Sequence, residues 1–175
     1  MPQSEQTDLA GVIVRLRERF PGAVIQAESY EGRAIAMSAE TALIALTHLA
    51  DNALRHNAHH IQIEARAGAD AVVLTVTNDG DAISLHNRER IFDAFFTTRR
   101  DSGGTGMGLA IVRAIMTSHG GGIMLLPRDK GVSFALRFPL SRVSLEACST
   151  AISLPSRLGR SGPGAVCATH RDGDH

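Results

Sequence analysis

The chain has 175 residues, of which 43% are apolar and 4% aromatic, and its 18 basic residues balance its 18 acidic ones. This length allows one ordinary domain and a tail, and the zero net charge gives no support to a nucleic-acid or membrane partner. No apolar run approaches the roughly 18 residues that cross a bilayer, and the polar start MPQSEQTDLA has no signal-peptide segment. Two cysteines, Cys148 and Cys167, lack paired-ligand spacing, so we predict free thiols and a cytoplasmic protein.

The first sixty residues alternate between helix and strand patterns. Residues 8–19 have helical spacing, and residues 23–28 have the pattern of a strand. A long helix is expected from Ser38, as its N-cap, to about His56, and Asn57 is expected to end it.

The next segments predict a hairpin and then a long loop. Residues 61–66 alternate apolar and polar side chains, and residues 72–77 form a second strand after a turn. Residues 78–105 are polar and rich in turn formers. Loops of this length inside a compact domain are usually functional lids.

The remaining elements complete a two-layer fold. A helix is expected from Gly106, capped by Thr105, and two strands follow at 123–126 and 132–138. This order predicts the α+β class: a sandwich with a mixed, mainly antiparallel sheet, helices on one face and a lid. We assign residues 1–140 to this domain and residues 141–175 to a tail that we expect to be disordered.

The long helix combines an apolar side with a polar stripe. At 100° per residue, four polar side chains fall within about 100° of one another: His48, Asn52, Arg55 and His56. The apolar side is expected to comprise Leu43, Leu46, Ala50 and Leu54. An Asn oxygen suits Mg²⁺ and an Arg fork suits phosphate, although a solvated polar face has the same spacing.

Two glycine-containing segments follow the expected strands. In Asn78-Asp79-Gly80-Asp81-Ala82-Ile83, the glycine would let backbone approach a flat ligand, although an ordinary turn has the same composition. Gly103-Gly104-Thr105-Gly106-Met107-Gly108-Leu109 leads into an apolar helix, where exposed N–H groups and the helix dipole favour an anion. This segment is neither a dinucleotide fingerprint nor a Walker loop, because the Lys-Ser/Thr ending is missing.

These segments together resemble the catalytic and ATP-binding domain of sensor histidine kinases, in the GHKL ATPase superfamily with its Bergerat-type fold. HLADNALRHN (48–57) resembles the asparagine box, and NDGDAI (78–83) the first glycine box. RIFDAFFTT (90–98) resembles the phenylalanine box, GGTGMGLAIV (103–112) the second glycine box, and GVSFALRFPL (131–140) the closing strand. The phenylalanine box separates sensor kinases from gyrase-like and chaperone relatives.

The resemblance implies a role for each matched residue. Asn52 would be the Mg²⁺ ligand beside ATP and Arg55 a phosphate contact, while His48 would serve as a hydrogen-bonding group or, alternatively, a base. The nucleoside would meet His56, Asn78, Gly80, Ile83 and, through a bridging water, Ser133. The lid would be anchored by Phe92, Phe95 and Phe96, and the phosphates would be wrapped by Gly104, Thr105, Gly106, Met107, Gly108 and Leu109.

Three of the matched positions depart from the family pattern. His48 stands four residues before Asn52, where sensor kinases commonly have Asn and hydrolytic relatives a Glu base. Asn78 stands where an Asp usually reads the adenine amine, and Asp79 is the candidate substitute if the loop register shifts. Ala82 replaces the second glycine of its box.

The resemblance implies transfer of the ATP γ-phosphoryl group to a His on a dimerisation domain, and indirectly to a response regulator. No helical hairpin with such a His is expected before residue 8. The chain is therefore expected to be a fragment of a longer kinase, as the cytoplasmic portion of a larger membrane sensor, or to act in trans on a separate acceptor. One alternative is an anti-sigma-type serine kinase, which also lacks the hairpin but does not fit the phenylalanine box. The other is a non-catalytic binding module, which Asn78 leaves open.

Overall fold

The computed structural model describes residues 6–29, 34–68, 70–99 and 104–139. The helices are α1 (Leu9–Arg19), α2 (Ala39–Arg55) and α3 (Gly108–Ser118), and a short 3-10 helix spans Leu85–Asn87. The strands are β1 (Thr7–Asp8), β2 (Val24–Glu28), β3 (Ala34–Ile35), β4 (His60–Ala67), β5 (Ala71–Asn78), β6 (Gly122–Leu126) and β7 (Val132–Pro139). The tail predicted at 141–175 lies outside the described residues.

The main sheet has five strands in the order β2-β4-β5-β7-β6. Strands β2 and β4 are parallel because α2 connects them as a crossover, and the other three pairs are antiparallel. This mixed sheet, with three helices packed on it, confirms the predicted α+β sandwich. The two-residue strands β1 and β3 pair separately and were not predicted.

The core lies between the sheet and the three helices, and it is mainly aliphatic. β4 buries alternate residues, as its sequence pattern predicts. The largest fully buried side chains come from helices and strands alike: Leu9, Ile13, Leu16, Leu49, Ile61, Ile63, Leu74, Met116, Phe134 and Leu136, together with Ile35 and Met37. Burial of such side chains stabilises the fold by about 1.5–3 kcal/mol each.

The long helix begins as predicted. Ser38 is the N-cap, and its Oγ accepts a hydrogen bond from Thr41 N at 3.2 Å. The helix ends at Arg55, and Asn57 adopts the left-handed conformation with φ of 62°, consistent with the predicted stop. The long helix thus holds its polar stripe in a fixed orientation.

Two predictions about the helices need correction. On α2, Leu46 and Ala50 are buried, but Leu43 is only partly buried and Leu54 is not in the core. The buried side is instead completed by Ala42, Ala45, Leu49 and Ala53, because α2 contacts both α1 and α3. Helix α3 begins two residues later than predicted.

Candidate functional site

A cavity of about 760 Å³ opens where α2, the end of β5 and the segment before α3 meet. This volume lies within the usual range for small-molecule and cofactor sites. The cavity brings together residues far apart in sequence, from His48 on α2 to Val132 on β7. All five sequence segments singled out above therefore contribute residues to one site.

The polar stripe of α2 forms one wall. His48, Asn52, Arg55 and His56 all line the cavity, as the helical spacing predicted. His56, the C-cap of α2, follows His48 by eight positions, which places them about 12 Å apart along the helix axis. The wall is therefore long enough to span more than one chemical group of a ligand.

Asn52 and Arg55 differ in how much of their hydrogen-bonding capacity is already used. Arg55 donates through Nε to the Asp51 carboxylate at 2.8 Å. Within the described residues, the Asn52 amide makes no hydrogen bond. Its oxygen is therefore available to a ligand or a cation.

The surroundings of His56 favour its neutral form. Burial lowers the pKa of this imidazole, and the Arg99 guanidinium lowers it further, while Asp81 acts in the opposite direction. A neutral imidazole has one donor nitrogen and one acceptor nitrogen and carries no charge. His56 therefore suits the side of an uncharged group better than it suits an anion.

Asn78 lies at the far end of the cavity, where β5 ends. Its side chain is 6% exposed, and its Oδ1 accepts a hydrogen bond from Gly80 N at 3.0 Å. Gly80 packs so closely on α2 that a Cβ would lie 2.5 Å from the His56 carbonyl oxygen. Only glycine fits this position, as its place in the sequence pattern suggested.

Asp79 does not reach the cavity. Its Oδ1 accepts from the backbone N–H groups of His59 and His60, at 2.8 and 2.9 Å, and its Oδ2 lies 2.9 Å from His60 Nδ1. These bonds hold the pKa of the Asp79 carboxyl well below its usual range. The hypothesis that Asp79 substitutes for Asn78 is therefore wrong for this arrangement, because its carboxylate is committed to the start of β4.

Ser133 and Phe92 also lie outside the cavity. Ser133 is the neighbour of Val132 on β7, so its side chain points to the opposite face of the sheet, where its hydroxyl lies 2.9 Å from Thr77 Oγ1. The Phe92 ring packs edge-on against Phe134, with centroids 6.2 Å apart. The bridging-water role suggested for Ser133 is therefore wrong, and Phe92 acts as a packing residue at the base of the lid.

The other two phenylalanines differ from each other. Phe96 lines the cavity, and the Arg90 guanidinium lies 4.6 Å from its ring centroid. Phe95 is 69% exposed and has a positive φ of 65°. Only Phe96 faces the site.

The second glycine segment lies at the N-terminus of α3 and closes the other end of the cavity. All its predicted residues line the cavity: Gly104, Thr105, Gly106, Met107, Gly108 and Leu109. Thr105 does not cap the helix, because Met107 occupies the N-cap position and makes no side-chain cap bond. The first N–H groups of α3 therefore lack a side-chain cap, which favours an anion at this end.

Residues to which the sequence assigned no ligand role close one edge of the site. Arg99 donates through Nη2 to Asp81 Oδ2 at 3.0 Å, and Asn57 Nδ2 donates to the same oxygen at 2.8 Å. Asn87, on the 3-10 helix, also lines the cavity. The only sequence signal for this contact was the opposite charge of Asp81 and Arg99, which lie near the two ends of the predicted loop 78–105.

Asn52 fits a divalent cation that is shared with phosphates. Mg²⁺ keeps several waters and takes few protein ligands, so one free amide oxygen beside an anion site is a suitable set. The described residues contain no group of three or more His, Cys, Asp or Glu side chains that could hold a metal. A cation at Asn52 would therefore complete its shell with ligand oxygens and water.

Among the residues that the structure describes, no helix is both long and apolar enough to cross a membrane.

Comparisons with known proteins agree on one family. The family model for histidine kinase-, DNA gyrase B- and HSP90-like ATPases matches residues 38–142. The sensor protein IrlS of Burkholderia pseudomallei is 41% identical over 103 residues, which cover 54% of this chain and 22% of that protein. The sensor histidine kinase CpxA of Escherichia coli K12 is 40% identical over 81 residues, covering 44% of this chain and 18% of that protein. The chain thus spans about a fifth of the length of the curated relatives it matches.

Solved structures show the same fold. The catalytic domain of histidine kinase ThkA superposes with a TM-score of 0.67 at 26% identity, covering 78% of this chain and 95% of that one. The mycobacterial sensor histidine kinase MprB gives a TM-score of 0.66 at 21% identity, covering 77% of this chain and 97% of that one. With the cavity built from the matched segments, these findings show that the chain belongs to the histidine kinase-, DNA gyrase B- and HSP90-like ATPase family, and that its relatives there are sensor histidine kinases.

Proposed function

We propose that this chain is the ATP- and Mg²⁺-binding catalytic domain of a sensor histidine kinase. Its substrate would be a His on a dimerisation domain, and a response regulator would receive the phosphoryl group afterwards. The observation that carries this proposal is one cavity with an uncapped helix N-terminus at one end and an uncharged, close-packed end at the other. A nucleoside triphosphate needs both environments in one site, because its base is uncharged and its phosphates are negative.

The two ends of the cavity would bind different parts of ATP. The triphosphate would lie against residues 104–108, where backbone N–H groups and the α3 dipole favour negative charge. The base would lie near Asn78 and Gly80, beside the neutral His56 imidazole. Asn52, between the two ends, would hold Mg²⁺, which neutralises phosphate charge during transfer.

The chemistry of this chain would consist mostly of positioning. The acceptor imidazole nitrogen forms a bond to the γ-phosphorus while the bond from that phosphorus to the bridging oxygen breaks, and ADP leaves. His48 lies at the phosphate end, since a Cβ on Gly108 would be 3.7 Å from its Nδ1. We assign His48 a hydrogen bond to the phosphates, because an imidazole acceptor is already a nucleophile and needs no strong base.

A phosphotransfer assay tests the kinase activity. The chain is incubated with γ-³²P-labelled ATP, Mg²⁺ and purified dimerisation domains from sensor kinases of the same genome. We expect acid-labile, base-stable label on one of these domains, and none when its His is replaced by Gln. Asn52→Ala should abolish transfer, whereas Thr47→Ala, on α2 but outside the cavity, should not.

Two results would contradict the proposal. Acid-stable label on a Ser would indicate the serine kinase instead. ATP binding without transfer to any acceptor domain would indicate a non-catalytic module.

A further inference from the structure

Asn78 contains a buried hydrogen-bond donor that the protein itself does not use. The residue is 6% exposed and lines the cavity. Its Oδ1 is occupied by Gly80 N, and no described residue accepts a hydrogen bond from its Nδ2. Because buried amide groups are nearly always paired, this donor requires an acceptor on the bound ligand.

The orientation of this amide is fixed by its surroundings. Turning the side chain over would place Nδ2 against the Gly80 N–H, so that two donors faced each other, at a cost of about 1–3 kcal/mol. Gly80 cannot move away, because α2 packs against it and Asp81 N donates to the His56 carbonyl at 2.8 Å. The group of Asn78 that lacks a partner is therefore the Nδ2 donor.

The surroundings of Asn78 suit a flat, uncharged ring. Asn78 is the register partner of Val132 on β7, which also lines the cavity. Asp81, which follows Asn78 by three residues and lines the cavity, is engaged by Arg99 and Asn57. The anion site lies at the opposite end of the α2 stripe, so the part of a nucleotide that meets Asn78 is the edge of its base.

We propose that Asn78 makes this site bind nucleotides of 6-oxopurines, hypoxanthine and guanine, at least as tightly as ATP. The proposal rests on the nucleotide-binding function proposed above. A 6-oxopurine presents a carbonyl oxygen that accepts from Asn78 Nδ2. Adenine presents an exocyclic amine at the same position, and an amine cannot accept from Nδ2, so the base must shift to offer its ring nitrogen N1 before this donor is paired.

The experiment compares ATP with inosine triphosphate, ITP, by calorimetric titration of the full chain in the presence of Mg²⁺. These two nucleotides differ only at the six-position of the base and its neighbouring ring nitrogen. We expect a Kd for ITP equal to or below that for ATP. In Asn78→Asp, one carboxylate oxygen still accepts from Gly80 N and the other accepts from an amine, so the ratio should shift roughly tenfold towards ATP.

A matched control separates base recognition from charge. Asn87→Asp introduces the same charge into the same cavity, and it should change both affinities without changing their ratio. Tighter binding of ATP than of ITP by the wild-type chain, or an unchanged ratio in Asn78→Asp, would overturn the inference alone. Absence of binding for both nucleotides would overturn the proposed function and, with it, this inference. The wild-type ratio decides the matter even if Asn78→Asp fails to fold.

Discussion

Asn78 and Asp79 are adjacent in sequence, yet their side chains lie in different places and make different contacts. Asn78 lines the cavity, whereas Asp79 accepts three hydrogen bonds from residues 59 and 60. The sequence offered both as candidates because each side chain can accept a hydrogen bond from an exocyclic amine. Only the backbone path after β5 distinguishes them, and no local pattern encodes that path.

We predict that Asp79 stabilises the fold rather than the ligand. Asp79→Ala leaves two backbone N–H groups without their acceptor, so its Tm should fall by several degrees. Asp79→Asn, which keeps one acceptor oxygen, should lose less. Thermal unfolding followed by circular dichroism measures both, and a Tm for Asp79→Ala equal to that of the wild type would contradict the assignment.

The same contact predicts a pH dependence. The pKa of Asp79 is lowered in the folded protein, so its stabilisation is present above its ordinary pKa of about 4 and is lost as the pH falls from there towards the folded value. The advantage of the wild type over Asp79→Asn should therefore shrink between about pH 5 and pH 3. An advantage that grows in this interval would show that the sign is wrong.

At the scale of single elements, periodicity predicted most of the structure that positions the site. The α2 stripe is correct because helical spacing alone determines which side chains share a face. The alternation of side chains along β7 also predicts that Ser133 and Val132 point to opposite faces of the sheet. The role assigned to Ser133 from the family pattern was wrong for that reason. The start of α3 was misplaced because four glycines allow several backbone paths, and capping preferences do not distinguish among them.

Substitution of Gly106 tests whether nucleotide binding depends on the backbone path of residues 104–108. It has φ of 68°, and a Cβ there would lie 2.5 Å from the Phe95 carbonyl carbon. Gly106→Ala should therefore weaken nucleotide binding at least about tenfold, since both the conformation and the contact resist a side chain. Gly122→Ala, whose Cβ would meet nothing within 4 Å, should bind normally. Equal affinities in the two variants, measured by calorimetry, would show that the segment does not contact the ligand.

At the scale of the whole molecule, the sequence predicted the class of fold but not the sheet order. The parallel pairing of β2 with β4 and the meeting of Arg99 with Asp81 depend on contacts between distant segments. These contacts are set by how helices and strands pack together, and neither composition nor spacing reports them. Local patterns did not predict that the matched segments meet at one site. That prediction came from the family resemblance.

The expected tail follows the last element of the described fold. Among the described residues, those that line the cavity lie at or before Val132, and the last strand ends at Pro139. Removing residues 150–175 should therefore leave Tm and nucleotide affinity almost unchanged. A Tm several degrees lower, or an affinity reduced more than about threefold, would show that the tail belongs to the domain.

Nucleotide binding at this cavity is measured by calorimetric titration of the chain with a non-hydrolysable ATP analogue, in Mg²⁺ and in EDTA. We predict micromolar binding that depends on Mg²⁺, with the dependence lost in Asn52→Ala because its amide oxygen is the proposed ligand. No binding under either condition would show that the cavity is not a nucleotide site. Equal affinity with and without Mg²⁺ would contradict the assignment of Asn52.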